Sequence, residues 1–536
     1  MTENERKTSL LRPSLLVSGV TLLSRLLGIL RVRLEASVLG GGELASAWFL
    51  AFAIPNLFRR LLGEGALGTA LIPLIAGIEQ EKGKENMRRE LAVVFTALSI
   101  LLAVIVVAVG AGSIGLRYFS RCYGITFFCT PRMDMALQLL PLLMPYAFFM
   151  CLVGVATAVL NYVKVFVLPA CGALLLNIFL ISGLTFGYLH GVGIDNLPSF
   201  LPVLSILVLV SGLTQLILTL LLLFFYGYFP KLDFDVFKKS DVLAKLWQLS
   251  LPGVIAASVL QVSFLVDRML AVKLNSQAVP ALTFVDRLVD LPIGLFAVSL
   301  GSVLMASMAR AAAKNDFAQL KDELEFSLRH VYFVCIPMAA AVIVFHVPLL
   351  RVLCLGGNYT ESDLEAARSV AIFYSAGIPL FCSLKILLPA FYARKEMRKP
   401  LIASVTAICL NIVLNLILMG PLKQGGIALA TTISSLVNNA ILFCFLRQDK
   451  VMPDMKVLLY SALRGIVIAF SVMFILSKIY ALFEEALIAN RWIYALSVII
   501  LLMFAGVFYL AAAWICRSPE CTELFSVVKK RTNRKS

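Results

Sequence analysis

Five arginines lie inside two consecutive apolar stretches near the beginning of the chain. They are Arg25, Arg31 and Arg33 in the first stretch and Arg59 and Arg60 in the second. An arginine at bilayer depth costs from about 3 kcal/mol to 10 or more, so it is retained only where it faces a partner or a water-filled cavity. The planar guanidinium group matches the geometry of phosphate. These residues therefore predict the wall of a cationic cavity that accepts a phosphate-bearing molecule.

Helical spacing groups the polar residues of the first stretch. Ser24, Gly28 and Arg31 lie at i, i+4 and i+7 and so share one stripe of a helix. Arg25 lies about 100° round from this stripe and near mid-membrane, whereas Arg31 lies nearer the outer side. Arg33 and Glu35 are expected to reach the outer interface, where snorkelling explains them well enough.

The second stretch carries another polar stripe, formed by Asn56, Arg60 and Glu64 at i, i+4 and i+8. Arg60 and Glu64 can pair, either to line a gate or only to neutralise each other. Arg59 points elsewhere and lies at a depth similar to that of the central arginine of the first stretch. Pro55 removes a backbone hydrogen bond and predicts a kink. We expect phosphate binding by the two central arginines, Arg25 and Arg59, with Arg31 assisting.

Later stretches supply acids as well as arginines. The predicted gate or ion-pair residues there are Asp267, Arg268, Asp286, Arg287 and Asp290. They either neutralise one another or form an outer gate that breaks and re-forms. Lys385 is a further candidate for the cavity, whereas snorkelling from a helix end explains Arg464 better.

The composition indicates what surrounds the cavity. Of 536 residues, 60% are hydrophobic and only 15% are charged, and the mean hydropathy is +0.93. A soluble domain could not bury that much apolar surface, and about fourteen stretches reach the roughly 20 apolar residues that span a bilayer. We predict an all-α integral membrane protein with about fourteen transmembrane helices, in two six-helix lobes plus two C-terminal helices.

The net charge of +16 is distributed unevenly. Most lysines and arginines fall in alternate loops and in the tails, which places both termini in the cytoplasm by the positive-inside rule. The basic tail KKRTNRKS at the C-terminus then favours anionic membrane lipids over nucleic acid as its partner.

Three pairs of similar positions, 234 to 239 residues apart, indicate an internal repeat. The pairs are Ser24 with Ser263, Pro55 with Pro292, and Asn177 with Asn411. They predict an N-terminal lobe at 1–230, a cytoplasmic linker at 231–246, a C-terminal lobe at 247–450, two extra helices at 451–516 and a basic tail at 517–536.

Cysteine and histidine usage predicts neither a metal site nor a cofactor. Most of the eleven cysteines stand singly in apolar stretches, and the three histidines fall in unrelated places. The exceptions are Cys122 and Cys129 in one predicted outer loop, which could form a disulfide in an oxidising compartment.

Several stretches resemble the MurJ (MviN) family, flippases of the peptidoglycan precursor lipid II within the multidrug/oligosaccharidyl-lipid/polysaccharide exporter superfamily. The stretches are SRLLGILR (24–31), AFAIPNLFRRLLGEGAL (51–67), VDRLVDLPIGLFAVSLG (285–301), LPAFYARKEMRKP (388–400) and GPLKQGGIALA (420–430). They occur in the family's order over most of the chain. Two departures concern Ser46 and Val32, which stand where acids are common in the family.

The resemblance implies a location in the bacterial inner membrane, a central cationic cavity, and a groove for the polyprenyl tail beside the last two helices. It assigns to the cavity or gate Ser24, Arg25, Arg31, Asn56, Arg59, Arg60, Glu64 and Arg287. The expected activity is that of a monomeric lipid II flippase, a transporter rather than an enzyme. The alternatives are an exporter of another lipid-linked oligosaccharide or of drugs, or an integral-membrane enzyme acting on polyprenyl phosphates, for which the sequence offers no Asp/His cluster.

Overall fold

A computed structural model describes residues 3–63, 66–123, 130–230, 241–294, 316–394 and 396–523, together with 307–308, 310–312 and 314. The chain forms two compact units. Unit 1 comprises residues 1–280 and 356–360, and unit 2 comprises 281–355 and 361–536.

The described part of unit 1 is built of helices joined by short turns. Its helices are α1 (Glu3–Leu39), α2 (Glu43–Phe58), α3 (Ala66–Tyr123), α4 (Pro131–Tyr162), α5 (Val167–Leu189), α6 (Leu197–Phe225) and α7 (Val242–Leu274). A π-helix (Arg59–Gly63) follows α2 directly, and a short 3₁₀ helix (Ile194–Asn196) precedes α6. α4 is central, because it packs against α2, α3 and α6, and α1 packs against α5.

Unit 2 continues the helical pattern. Its helices are α9 (Phe317–Val344), α10 (His346–Leu353), α11 (Glu361–Ala376), α12 (Ile378–Ala393), α13 (Arg398–Gln448), α14 (Met455–Ala481), α15 (Glu484–Ile488) and α16 (Arg491–Ile515). α8 (Ala278–Pro292) begins in unit 1 and ends in unit 2. A buried cluster that includes Phe333, Met473 and Val498 packs α9 against α14 and α16.

The described residues contain eight helices that are long and apolar enough to cross a membrane. Two helices exceed one crossing, because α3 has 58 residues and α13 has 51, whereas a crossing takes roughly 20. Each is interrupted by one residue outside helical geometry, Gly83 in α3 (φ 80°) and Lys423 in α13 (φ 50°). The predicted all-α membrane fold is confirmed, and the number fourteen stays a prediction.

The compact units do not coincide with the predicted lobes. The sequence repeat placed residues 247–274 in the second lobe, but α7 packs against α2 and α3 and belongs to unit 1. Most of the predicted linker, residues 231–240, lies outside the described residues. The two-lobe division of the chain therefore stays a prediction.

Candidate functional site

The polar stripe of α1 is held by an amide from α5. Asn177, 7% exposed, accepts a hydrogen bond from Arg31 Nη1 at 2.9 Å. Its Nδ2 donates to the backbone oxygen and to Oγ of Ser24, at 3.1 and 3.3 Å. One side chain thus connects two of the predicted substrate-binding residues, Ser24 and Arg31, which stand seven residues apart on α1.

Arg31 also has an acidic partner. It is 8% exposed, and its Nε lies 3.4 Å from Oε1 of Glu35, one turn further along α1. Glu35 is itself buried, 7% exposed, so it does not snorkel as the sequence predicted. The carboxylate is buried because a buried guanidinium needs a counter-charge.

Arg25 stands in a different environment on the same helix. It is half-buried and makes no hydrogen bond or ion pair with any residue in the described part of the chain. A Cβ added to Gly28 would meet no atom within 4 Å. Open space therefore borders α1 near Arg25, which suits an arginine that meets water or an anion.

The second arginine pair lies on the π-helix after α2. Pro55 lies inside α2, and the helix continues to Phe58 before the π-helix begins at Arg59. Arg59 Nε donates to Oδ1 of Asn56 at 2.9 Å, so these two predicted substrate-binding residues are in contact. Arg60 is half-buried.

Glu64, the predicted partner of Arg60, lies outside the described residues, and their pairing stays a prediction. π-Helical turns occur often at functional sites. Here the turn contacts α3, α4 and α7, and these contacts fix the backbone that carries both arginines.

The close packing of the π-helix depends on two glycines. A Cβ at Gly154 of α4 would lie 2.0 Å from the carbonyl oxygen of Gly63. A Cβ at Gly63 would lie 3.0 Å from the carbonyl oxygen of Met150. The backbones of α4 and the π-helix therefore touch directly, as small residues allow in membrane helices.

The predicted gate residues fall into two groups. Asp267 and Arg268 are buried, 6% and 2% exposed, on α7 in unit 1. The Arg268 guanidinium lies 4.6 Å from the centre of the Phe264 ring. The second group lies on the part of α8 that belongs to unit 2. In that group Asp286 and Arg287 are half-buried and Asp290 is exposed.

The remaining candidates lie elsewhere. Lys385 is an exposed residue of α12. Cys122 is exposed near the end of α3 with a free thiol, while Cys129 lies outside the described residues, so the disulfide stays a prediction. Among the residues described, no group of His, Cys, Asp or Glu could hold a metal ion.

Ser46, which stands where the family commonly has an acid, has a structural role here. It is fully buried near the start of α2, and its hydroxyl donates to the backbone oxygen of Ser276. This bond ties α2 to the turn after α7. Val32, the second departure, is also buried, 3% exposed.

A loop from later in the chain completes unit 1. The backbone N–H of Asn358 donates to Ser37 O at 2.8 Å, and its Nδ2 donates to Val38 O at 2.7 Å and Val192 O at 3.1 Å. A Cβ at Gly40 would lie 2.6 Å from Asn358 O. We call residues 356–360 the Asn358 clasp. The sequence analysis did not predict these contacts of Asn358.

A buried carboxylate after α16 was also missed. Glu520, 1% exposed, accepts hydrogen bonds from Ser461 Oγ at 2.8 Å and Ser518 Oγ at 2.6 Å. It pairs with Arg464 of α14 and with Arg329 of α9. Arg464 therefore has an acidic partner, and the snorkelling predicted for it is wrong.

Comparison with known proteins identifies the family. Residues 35–503 match the family model described as Lipid II flippase MurJ. The probable lipid II flippase MurJ of Vibrio cholerae is 30% identical over 444 residues, which cover 81% of this chain and 82% of the relative.

Solved structures agree on the fold. The Lipid II flippase MurJ in its inward closed conformation matches with a TM-score of 0.73 at 23% identity, over 94% of this chain and 98% of that one. An inward-facing multidrug resistance MATE family transporter of the MOP superfamily matches with a TM-score of 0.65 at 15% identity, over 79% and 94%. The eight apolar helices and this transporter fold describe a multi-pass membrane protein. The resemblance noted in the sequence is confirmed by a match over most of its length: the chain belongs to the MurJ family of lipid II flippases.

Proposed function

We propose that the protein moves lipid II from the inner to the outer leaflet of the bacterial inner membrane by alternating access, without covalent chemistry. The observation that carries the proposal is the set of half-buried and buried arginines on α1 and the π-helix of unit 1, in a chain of this family. A lipid diphosphate carries charge that must cross a low-dielectric layer, whereas its tail stays in lipid. Only the head group needs a polar cavity, and guanidinium groups match its phosphates.

The arginines have different roles in this proposal. Arg25, which no described residue neutralises, and Arg59, which Asn56 orients, bind the diphosphate. Arg31 assists from the outer end of the stripe that it shares with Ser24 and Gly28. Arg60 pairs with Glu64.

The gate belongs to the same proposal. Asp267 and Arg268 on α7, with Asp286, Arg287 and Asp290 on α8, form ion pairs that change between states, and Lys385 adds positive charge to the cavity. Buried charges tend to stay paired, because a stranded partner costs roughly 3–5 kcal/mol. A gate built from such pairs therefore has few stable arrangements.

The membrane surroundings complete the proposal. The protein works as one copy with both termini in the cytoplasm. Its basic cytoplasmic surface contacts anionic lipid head groups rather than nucleic acid. Apolar side chains exposed on α14 and α16, among them Phe474, Ile475 and Phe504, provide the surface for the polyprenyl tail.

The test replaces one arginine at a time in cells that contain no other copy of the protein. Host cells depleted of the wild-type protein carry Arg25→Ala or Arg59→Ala, and an impermeant enzyme that cleaves the lipid II head group measures lipid II in the outer leaflet. We expect loss of outer-leaflet lipid II and of growth at normal protein abundance. Arg→Lys at each site should leave partial activity, because the charge remains but the bidentate fork is lost.

Arg89→Ala is the matched control, because Arg89 is exposed on α3. It should support normal growth. If Arg25→Ala and Arg59→Ala also flip lipid II normally at normal abundance, the cavity assignment is wrong. If depletion itself leaves outer-leaflet lipid II unchanged, the proposed activity is wrong. Drug efflux that is lost together with the protein would indicate the exporter alternative instead.

A further inference from the structure

Asn177 occupies an unusual position for a neutral side chain in a membrane helix. It is 7% exposed on α5 and uses both ends of its amide on α1. The oxygen accepts from Arg31 Nη1 at 2.9 Å, and the nitrogen donates to the backbone oxygen of Ser24 at 3.1 Å and to its hydroxyl at 3.3 Å. Asparagine side chains commonly hydrogen-bond across membrane helices, but the partner here is a buried arginine, and an ionisable residue in a membrane marks a functional position by default.

The direction of the Arg31 side chain explains how one amide reaches both residues. Side chains on an α-helix lean toward its N-terminus, so the Arg31 guanidinium reaches back along α1 toward Ser24. Gly28 stands between them on the same stripe, and a Cβ there would meet no atom within 4 Å. Asn177 thus fixes the guanidinium beside a part of α1 that borders open space.

The charge around Arg31 explains why the residue is an amide rather than an acid. Arg31 Nε already lies 3.4 Å from Glu35 Oε1, and both side chains are about nine-tenths buried. The negative charge of the Glu35 carboxylate balances the positive charge of the Arg31 guanidinium. A second carboxylate at position 177 would make the group net negative and would repel an anion, whereas an amide oxygen holds the guanidinium without adding charge.

We propose that Asn177 is a positioning residue, which orients Arg31 and keeps this group electrically neutral so that a lipid diphosphate can approach the arginines of α1. The inference rests on the proposed function, because it names the residue that tunes the same anion-binding wall. Asn177 itself does not touch the substrate. It acts through Arg31 and through the Ser24 backbone.

The experiment measures binding of farnesyl diphosphate, a short lipid diphosphate, to the full-length protein purified in detergent. Asn177→Asp keeps the size and the acceptor oxygen, adds a charge and loses the N–H donors to Ser24, and we expect its Kd to rise at least about tenfold. Asn177→Gln keeps the neutral amide and should stay within about threefold of wild type. Asn196→Asp makes the same chemical change at an exposed position and should leave the Kd unchanged.

A double variant separates charge from structure. Glu35→Gln combined with Asn177→Asp again leaves one carboxylate on Arg31, so binding should recover the part of the loss that charge causes. A purely structural role for Asn177 predicts no such recovery. The thermal midpoint of each variant, measured in parallel, should fall equally for Asn177→Asp and the double variant, because both lose the hydrogen bonds to Ser24.

The outcomes distinguish this inference from the proposed function. If the wild-type protein binds farnesyl diphosphate and Asn177→Asp binds equally well, or if the double variant shows no recovery, the positioning role is overturned and the flippase proposal stands. If the wild-type protein binds no lipid diphosphate, the anion-binding wall itself is wrong, and the inference falls with it.

Discussion

At the scale of single residues, buried arginines in this protein are held by oxygens that lie far away in sequence. Arg31 contacts Asn177 across 146 residues, and Arg464 contacts Glu520 across 56. The sequence identifies arginines such as these from their place in apolar stretches, because a charge at bilayer depth is costly. It does not identify the partners, because those depend on which helices pack together. The site could therefore be predicted as a set of cations, but not as a hydrogen-bonded arrangement.

Replacing Glu520 tests one such partner. Burial raises the pKa of Glu520, but hydrogen bonds from Ser518 and Ser461 and the charge of Arg464 outweigh it, so its pKa lies below the usual value. A carboxyl group with a lowered pKa stabilises the folded state above the unfolded-state pKa, and this stabilisation is lost as the pH falls through the folded-state pKa. Glu520→Gln should cost up to roughly 3–5 kcal/mol at neutral pH, because it removes the carboxylate that pairs with Arg464, whereas Arg329 keeps its ion pair with Glu523.

The measurement is the thermal midpoint of the purified protein from neutral pH to about pH 3, which lies below the usual pKa of a glutamate. Wild type should lose stability toward the acidic end, and Glu520→Gln should start lower and change less. Glu485→Gln is the control, because Glu485 is exposed on α15. Equal midpoints and equal pH dependence for Glu520→Gln and wild type would refute a stabilising role.

At the scale of elements, the π-helix is the feature that sets the position of Arg59 and Arg60. Pro55 predicted a kink in the sequence, yet the irregular turn begins four residues later, at Arg59. The reason is packing, because α4 approaches the turn so closely that the Gly154 and Gly63 backbones touch. A sequence shows where a proline lacks a backbone N–H. It does not show how closely a neighbouring helix approaches.

A methyl group at this contact should displace the π-helix. Gly154→Ala would place its Cβ 2.0 Å from the Gly63 carbonyl oxygen, and overpacking of this kind typically costs about 1–3 kcal/mol or more. We expect reduced abundance and lost flipping in the depletion assay, with a lowered thermal midpoint.

Gly112→Ala is the matched control for this change. A Cβ at Gly112 of α3 would meet no atom within 4 Å, and alanine is the better helix former. It should keep wild-type activity and midpoint. Gly154→Ala that behaves in the same way would mean that the two backbones are not in contact in the membrane.

At the scale of the whole molecule, hydrophobicity predicted the fold class, whereas the division into two lobes stays a prediction. Apolar stretches of bilayer length specify helices, because only internally hydrogen-bonded segments cross lipid. The repeat that joins Ser24 with Ser263 and Asn177 with Asn411 predicted a boundary near residue 231. The compact units instead divide at 280, because α7 packs with the N-terminal helices. Sequence similarity between halves carries no information about which helices are neighbours.

The orientation of the whole molecule remains a prediction, and the contacts of unit 1 show only which helix ends lie together. Ends of helices that should be cytoplasmic meet one another, because Tyr162 donates to Glu79 and Lys84 Nζ lies 4.6 Å from the centre of the Tyr228 ring. In a cysteine-free variant, Lys84→Cys should be protected from an impermeant thiol reagent in intact cells and Asp195→Cys should be labelled. Both positions are exposed, so burial cannot explain protection. If Lys84→Cys is labelled and Asp195→Cys is protected, the predicted orientation is wrong.

The Asn358 clasp has a consequence for how the protein is produced. Asn358-Tyr359-Thr360 is an acceptor triplet for N-linked glycosylation, which attaches the sugar to the asparagine side-chain nitrogen. That nitrogen already donates to the carbonyl oxygens of Val38 and Val192, and Gly40 packs directly against the Asn358 backbone. A eukaryotic expression host that glycosylated the chain during synthesis would occupy this nitrogen before the clasp formed. Protein carrying that glycan would lose the hydrogen bonds from Asn358 to Val38 and Val192. We therefore expect the folded structure from a host that lacks the glycosylation machinery.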